Sequence, residues 1–186
     1  VTINNNIINN CGSGIYYKSI NPKPDSKSQR PNTYKCSGKS YSPTVDKSSQ
    51  ISGNVINIID TKDSTMKQWP YGIRLYGEVV KSNEKIVKKG DYSAQNILIS
   101  NNTVSIARNA TGIWIDGAKK CSVKNNNITF TNKKYKAKQK VFGIRLANSS
   151  KVNLNKNTVN VKGVPYVDNA IFLIKSKSNT LTGNKT

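Results

Sequence analysis

Histidine is absent from this chain, and its three cysteines are scattered. Without imidazole no Ser-His-Asp or Cys-His catalytic arrangement can be assembled, and three dispersed thiols without His do not make a zinc site. Acidic residues are scarce as well, 9 against 30 Lys and Arg. No carboxylate cluster marks a calcium site, and no EF-hand spacing, P-loop or dinucleotide fingerprint occurs, so neither cofactor nor metal is expected. There is no run of about 18 apolar residues, the length a membrane-spanning helix needs. No signal peptide precedes Val1, and the chain reads as a mature or trimmed segment of a larger protein. At 186 residues a single domain over residues 1–186 is the default.

What is present is a repeat. Asn6, Asn54, Asn102, Asn126, Asn157 and Asn184 each follow an apolar residue by three positions: Ile3, Ile51, Ile99, Val123, Leu154 and Leu181. Two positions after the Asn come Ile8, Ile56, Val104, Ile128, Val159 and, breaking the pattern, Thr186. Four positions after come Asn10, Ile58, Ile106, Phe130 and Val161. A second motif follows: Gly14-Ile15-Tyr16-Tyr17, Gly72-Ile73-Arg74-Leu75, Gly112-Ile113-Trp114-Ile115, Gly143-Ile144-Arg145-Leu146 and Ala170-Ile171-Phe172-Leu173. Self-similarity at this period marks a solenoid. Short runs alternate with period two between Asn and Gly, the pattern of strands joined by tight corners, and no amphipathic helical stretch separates them. A hydrophobic content of 35% is thin for a globular core but enough for the slim stripe that stacked repeats bury.

The pattern Ile-x-x-Asn-x-Val-x-Ile followed by Gly-Ile-x-Ile resembles the repeats of right-handed parallel β-helix proteins, the pectate-lyase-like superfamily and its repeat-bearing surface proteins. The resemblance implies an all-β solenoid of about six coils with long loop insertions. That family includes lyases, hydrolases, epimerases, phage tailspikes, adhesins and non-catalytic binders, so the likeness specifies fold and leaves function to the site. The lack of His excludes the His-containing signature of alginate-epimerase-like relatives.

Several segments depart from the repeat. The longest, residues 19–49, is rich in Pro, Ser, Lys and Asn and carries Cys36; loops of such length are usually functional or mobile. A Cys11–Cys36 disulfide would pin it to the first copy, although connectivity is not given by sequence alone. Cys121 falls in an inward column with Val1, Ile97 and Val152 and reads as a small buried apolar residue. In the insertion after Phe130, Lys134, Lys136, Lys138 and Lys140 fall at every second position, which in extended chain places four ammonium groups on one side. Asn101, Asn109, Asn127, Asn148 and Asn184 begin N-x-S/T sequons, as chance provides in a chain so rich in Asn, Ser and Thr.

Net charge of +21 calls for an anionic partner or reflects a solvated basic surface. With the Ile and Leu of the Gly-Ile strands inward, Tyr16, Arg74, Trp114, Arg145 and Phe172 point outward on successive copies. Three aromatics and two Arg on one outer face form the candidate ligand-binding site, with Asp116 at its end and Lys134, Lys136, Lys138 and Lys140 nearby. No catalytic residue is assigned. The expected function is a non-catalytic binding or adhesion module of an extracellular or cell-surface protein that recognises an anionic glycan or similar polyanion. The alternative is a polysaccharide lyase or glycoside hydrolase working in a groove, in which the resemblance nominates Arg74 or Arg145 as base. Nucleic acid ranks third as partner, since basic charge alone is a weak signal.

Overall fold

The computed structural model describes residues 1–19, 48–59, 70–77, 94–132, 140–165 and 167–186, together with 34–36 and 39–41; for 19, 34–36 and 39–41 this concerns the backbone alone. The protein is all-β, with no helix among the described residues. Three parallel sheets carry the repeat. The first has six strands, Thr2–Asn4, Gln50–Ser52, Leu98–Ser100, Ser122–Lys124, Asn153–Asn155 and Thr180–Thr182. The second has five, Ile7–Cys11, Val55–Ile58, Thr103–Ile106, Asn127–Phe130 and Thr158–Asn160. The third holds the Gly-Ile strands Ile15–Ser19, Tyr71–Gly77, Thr111–Asp116, Val141–Ala147 and Val167–Ile174. Each strand lies beside its counterpart in the neighbouring copy, in the register of the sequence repeat: Ile51 opposite Ile99, Val104 opposite Ile128, Ile113 opposite Ile144. Parallel strands in stacked sheets are compatible with a parallel β-helix. A separate antiparallel pair, Tyr34–Cys36 with Lys39–Tyr41, lies in the long excursion.

The Asn ladder joins the copies. Asn54, Asn102, Asn126 and Asn157 are buried, and each side-chain amide donates to the carboxamide oxygen of the next, from Asn6 through to Asn184, at 2.9 Å in every step. The same oxygen also accepts the backbone N–H of the preceding ladder Asn, at 3.0 Å for Asn54 onto Asn102. The second amide hydrogen goes to a backbone carbonyl, as from Asn102 to Ile51 at 2.9 Å. A buried amide is thus satisfied at both ends, which removes the desolvation penalty and lets successive bonds polarise one another. Only Asn and its longer homologue Gln combine a carbonyl acceptor with two donor hydrogens on one side chain, which is what each step of the ladder uses. The residue before each ladder Asn (Asn5, Gly53, Asn101, Asn125, Lys156, Gly183) is left-handed, with φ between 52° and 66°. That conformation turns the chain from the first sheet into the second.

Apolar residues from all three sheets fill the interior, among them Ile51, Ile56, Ile73, Ile99, Ile106, Ile113, Ile115, Ile128 and Ile144, all fully buried. Each contributes about 1.5–3 kcal/mol relative to exposure. The glycine that opens the third-sheet strands is required by close approach. A Cβ on Gly112 would stand 2.5 Å from the Gly143 carbonyl oxygen and 2.6 Å from Ile128 Cγ2. Gly14, Gly72 and Gly143 are blocked in the same way by the next copy's backbone. Ala170 fits because its strand is the outermost of the sheet.

The outermost strands depart from the expected burial. Val1 is 73% exposed, Leu181 48% and Leu173 36%, and Ile3 and Ile171 are half-buried, because each has a neighbouring strand on one side only. Asn10 is not in the inward column. A register shift after Ile8 sets Cys11 opposite Ile58, and Asn10 takes the left-handed bend of that bulge at φ 55°. Cys121, Ile97 and Val152 are buried as expected, and Ser49 joins their column. Its hydroxyl accepts from the Val1 ammonium at 2.8 Å.

Candidate functional site

The third sheet sets the candidate residues in one row. Register places Tyr16 opposite Arg74, Arg74 opposite Trp114, Trp114 opposite Arg145 and Arg145 opposite Phe172. All five lie on the outer face, as the alternation requires. Exposure, however, differs from expectation at the centre. Trp114 is only 8% exposed, because the Arg74 guanidinium covers one side of its ring at 4.2 Å and that of Arg145 the other at 4.6 Å. Its flat face is already used by two cations, the best-matched partners an indole has. Trp114 is therefore not an open platform for a sugar ring. Tyr16 is 47% exposed, and Arg74, Arg145 and Phe172 are half-buried.

Sequence reasoning missed the residues that hold the arginines. Arg74 also faces Tyr16 at 5.2 Å, Tyr76 at 5.6 Å and Tyr71 at 5.9 Å. Arg145 faces Phe142 at 5.6 Å, and Phe142 stacks on Phe172 with centroids 4.6 Å apart. A signal was available: Tyr71-Gly72-Ile73-Arg74-Leu75 and Phe142-Gly143-Ile144-Arg145-Leu146 share an aromatic before the Gly, whereas the Trp114 copy has Thr111 there. Copies whose outward residue is Arg bring a ring, and the copy whose outward residue is a ring lies between two that bring Arg.

The electrostatics follow from this packing. Burial lowers the basicity of the Arg145 guanidinium, the Asp116 carboxylate opposes that shift, and the charge of Arg74 adds to it. The two arginines thus feel one another across the indole. Burial raises the Tyr71 phenol above its ordinary value, against the pull of Arg74 and with a smaller push from Tyr16. Arg74 has no carboxylate partner among the described residues, and its buried Nε meets no acceptor there.

Two acids lie among the described residues, Asp116 and Asp168. Asp116 accepts from Asn148 Nδ2 at 2.8 Å. Asp168 is the extra residue of a bulge, since Val141 pairs with Val167 and Phe142 with Asn169, and its carboxylate accepts the Val141 N–H at 2.8 Å. Asp116 is level with Ala147 and Ile174, six positions along the strand from Asp168, a separation of roughly 20 Å at about 3.3 Å per residue. Glycosidase carboxylates stand about 5–9.5 Å apart, so these two do not form such a pair.

Lys134, Lys136 and Lys138 lie outside the described residues, and Lys140 is exposed at the start of the Val141–Ala147 strand. The Cys11 thiol donates to the Asn57 carbonyl at 3.6 Å; the side chain of Cys36, its partner in the disulfide considered from sequence, lies outside the described residues. Burial raises the Cys11 pKa, opposed by a hydrogen bond from its own backbone. Cys121 is buried and free. No group of three His, Cys, Asp or Glu able to hold a metal occurs among the described residues, and no described helix is long and apolar enough to cross a membrane. Of the sequons, Asn109 is buried. Comparison with protein families, with curated proteins and with solved structures finds no match.

Proposed function

We propose that this chain is a right-handed parallel β-helix of about six coils, akin to the pectate-lyase-like superfamily, and that it serves as a non-catalytic binding or adhesion module at an extracellular or cell-surface location. Its partner is an anionic glycan or similar polyanion, held across Arg74 and Arg145. The observation that carries this reading is the pair of guanidiniums flanking one indole. Two like charges share Trp114, each feeling the other, while Arg74 lacks an anionic partner among the described residues. A carboxylate or sulfate bridging them offsets that repulsion, and Arg presents a planar fork of donors for either group. Trp114 acts as the spacer that fixes the two forks one strand to either side, about 4.8 Å each way. Tyr16 and Phe172, less covered, supply apolar surface at the two ends of the row.

A glycan array read at two salt concentrations tests this. Binding to uronate- or sulfate-bearing glycans is expected, weaker at high salt, and reduced in Arg74→Gln; unchanged anionic-glycan binding in Arg74→Gln with Arg145→Gln contradicts it. The lyase alternative takes Arg145 as the base, a half-buried guanidinium on the same row. Release of unsaturated uronate products absorbing near the ultraviolet edge, abolished by Arg145→Lys, distinguishes that reading from binding alone.

A further inference from the structure

Between the third sheet of one copy and the first sheet of the next, the chain crosses a narrow edge two residues wide. Ala94–Gln95 pairs with Ala118–Lys119, and bridges then join Lys119 to Ser150 and Ser150 to Lys177. Ala94, Ala118 and Ser149 face inward and are buried. Left-handed residues flank the edge on both sides, Gly117, Asn148 and Lys175 in one column and Asn96, Lys120, Lys151 and Ser178 in the other. An L-residue incurs backbone strain at positive φ, and Gly and Asn tolerate it best. The earliest described copy of each column follows that preference. Asn148 follows it too, but three of the five later positions hold lysine, Lys120 and Lys151 at φ 55° and Lys175 at φ 48°, the remaining one being Ser178.

Composition does not force this choice, because the chain is rich in Asn and uses it at equivalent corners. Register sets Lys120 beside Lys151, the Lys120 N–H donating to the Ser150 carbonyl at 3.0 Å, and the Lys151 N–H donates in turn to the Lys177 carbonyl at 3.1 Å. Lys120, Lys151, Lys175 and Lys177 are all exposed. Of the two acids among the described residues, Asp116 is engaged by Asn148 and Asp168 by the Val141 N–H. Strained backbone combined with clustered like charge is a cost that the fold does not require, and such outliers point to use.

We propose that this lysine edge is a second anion-binding strip, separate from the Arg74–Arg145 face, and that it takes a linear acidic polysaccharide running along the stack. The inference rests on the polyanion reading above and specifies where along the molecule such a polymer lies. Successive copies are separated by about 4.8 Å, a step comparable with one sugar residue, so a glycan with an acidic group on each residue meets a lysine on each of three successive copies, Lys120, Lys151 and Lys175. No aromatic residue stands in the edge or its flanking columns. Single-stranded nucleic acid is bound by proteins that stack its bases on aromatic rings, so the chemistry favours the polysaccharide.

The test compares the full chain with a variant carrying Lys120→Asn, Lys151→Asn and Lys175→Asn, using an oligogalacturonate and a thymidine oligonucleotide of equal charge as probes. Oligogalacturonate affinity at low salt is expected to fall roughly tenfold or more, with a shallower salt dependence. The thermal midpoint is expected to hold or rise, because Asn suits these corners better than Lys. That opposite movement of binding and stability is not produced by a merely misfolded variant. Unchanged affinity in the triple variant, with loss in Arg74→Gln, overturns the edge while leaving the Arg face standing. A parent chain that binds no anionic glycan overturns both. Preference for the oligonucleotide, lost through the same three substitutions, also overturns the proposal.

Discussion

Asn102 shows how much one side chain can hold. Its oxygen accepts from Asn54 twice, and its amide donates to Ile51 and Asn126. Asn102→Ala leaves buried donors and acceptors unpaired on both neighbouring copies, and at about 1–3 kcal/mol for each unsatisfied group the loss should reach about 3 kcal/mol or more in chemical denaturation. Asn6→Ala, at the exposed end of the same ladder, should cost less than about 1 kcal/mol. Equal losses would show that the ladder bonds carry no more than local turn energy. Trp114 gives a second contrast. Its indole is packed between two guanidiniums, so Trp114→Ala should destabilise by about 2–4 kcal/mol, whereas Tyr16→Ala, half exposed, should cost about 1 kcal/mol or less. Ladder positions were legible in the sequence because one residue type recurs at one offset from its apolar neighbours. The cover over Trp114 was not, since it is supplied by Arg74 and Arg145, 40 and 31 residues away in sequence.

Strands are positioned by stacking, and the glycine column is where that is most sensitive. Gly112→Ala forces a methyl against the Gly143 carbonyl and Ile128, and neither backbone nor packed Ile yields easily. Overpacking of this kind costs about 1–3 kcal/mol, so the thermal midpoint should drop by several degrees, at about 2–4 °C per kcal/mol for a chain of this size. Ala170→Gly, on the outermost described strand of the sheet, should shift it by no more than the intrinsic strand preference, about 1 kcal/mol or less. Strand order and register were readable from the repeat because each copy repeats its own inward columns. Cys11 was not readable as a column residue. A bulge adds one residue without altering composition, and only the neighbouring strand, with Ile58 opposite, reveals the slip. The lysines at left-handed corners were equally hidden, since Asn or Gly announces such a corner and Lys does not.

At the scale of the whole molecule, charge and titration set the behaviour. With no His, no side chain has an ordinary pKa between about 5 and 8, and stability should be flat from pH 6 to 8. The alkaline side differs. Tyr71 is raised in the folded state by burial, so its contribution to stability is fully present below the ordinary tyrosine value of about 10 and is lost as pH climbs through the folded-state value. Denaturation midpoints followed from pH 8 to 11 should decline, and Tyr71→Phe should flatten that decline; an unchanged slope in the variant would assign the effect elsewhere. Net charge of +21 makes any association with an anionic polymer salt-dependent, but it does not say where the polymer lies.

Trp114 can report that location directly, because its ring touches both guanidiniums proposed to hold the anion. In a Trp69→Phe background, where Trp114 is the remaining indole, oligogalacturonate is titrated while emission and heat of binding are recorded together. A saturable change in Trp114 emission with the same midpoint as the heat signal, abolished by Arg74→Gln, is the predicted result. Heat of binding with no change in Trp114 emission, surviving Arg74→Gln, would contradict the assignment of the anionic ligand to this face.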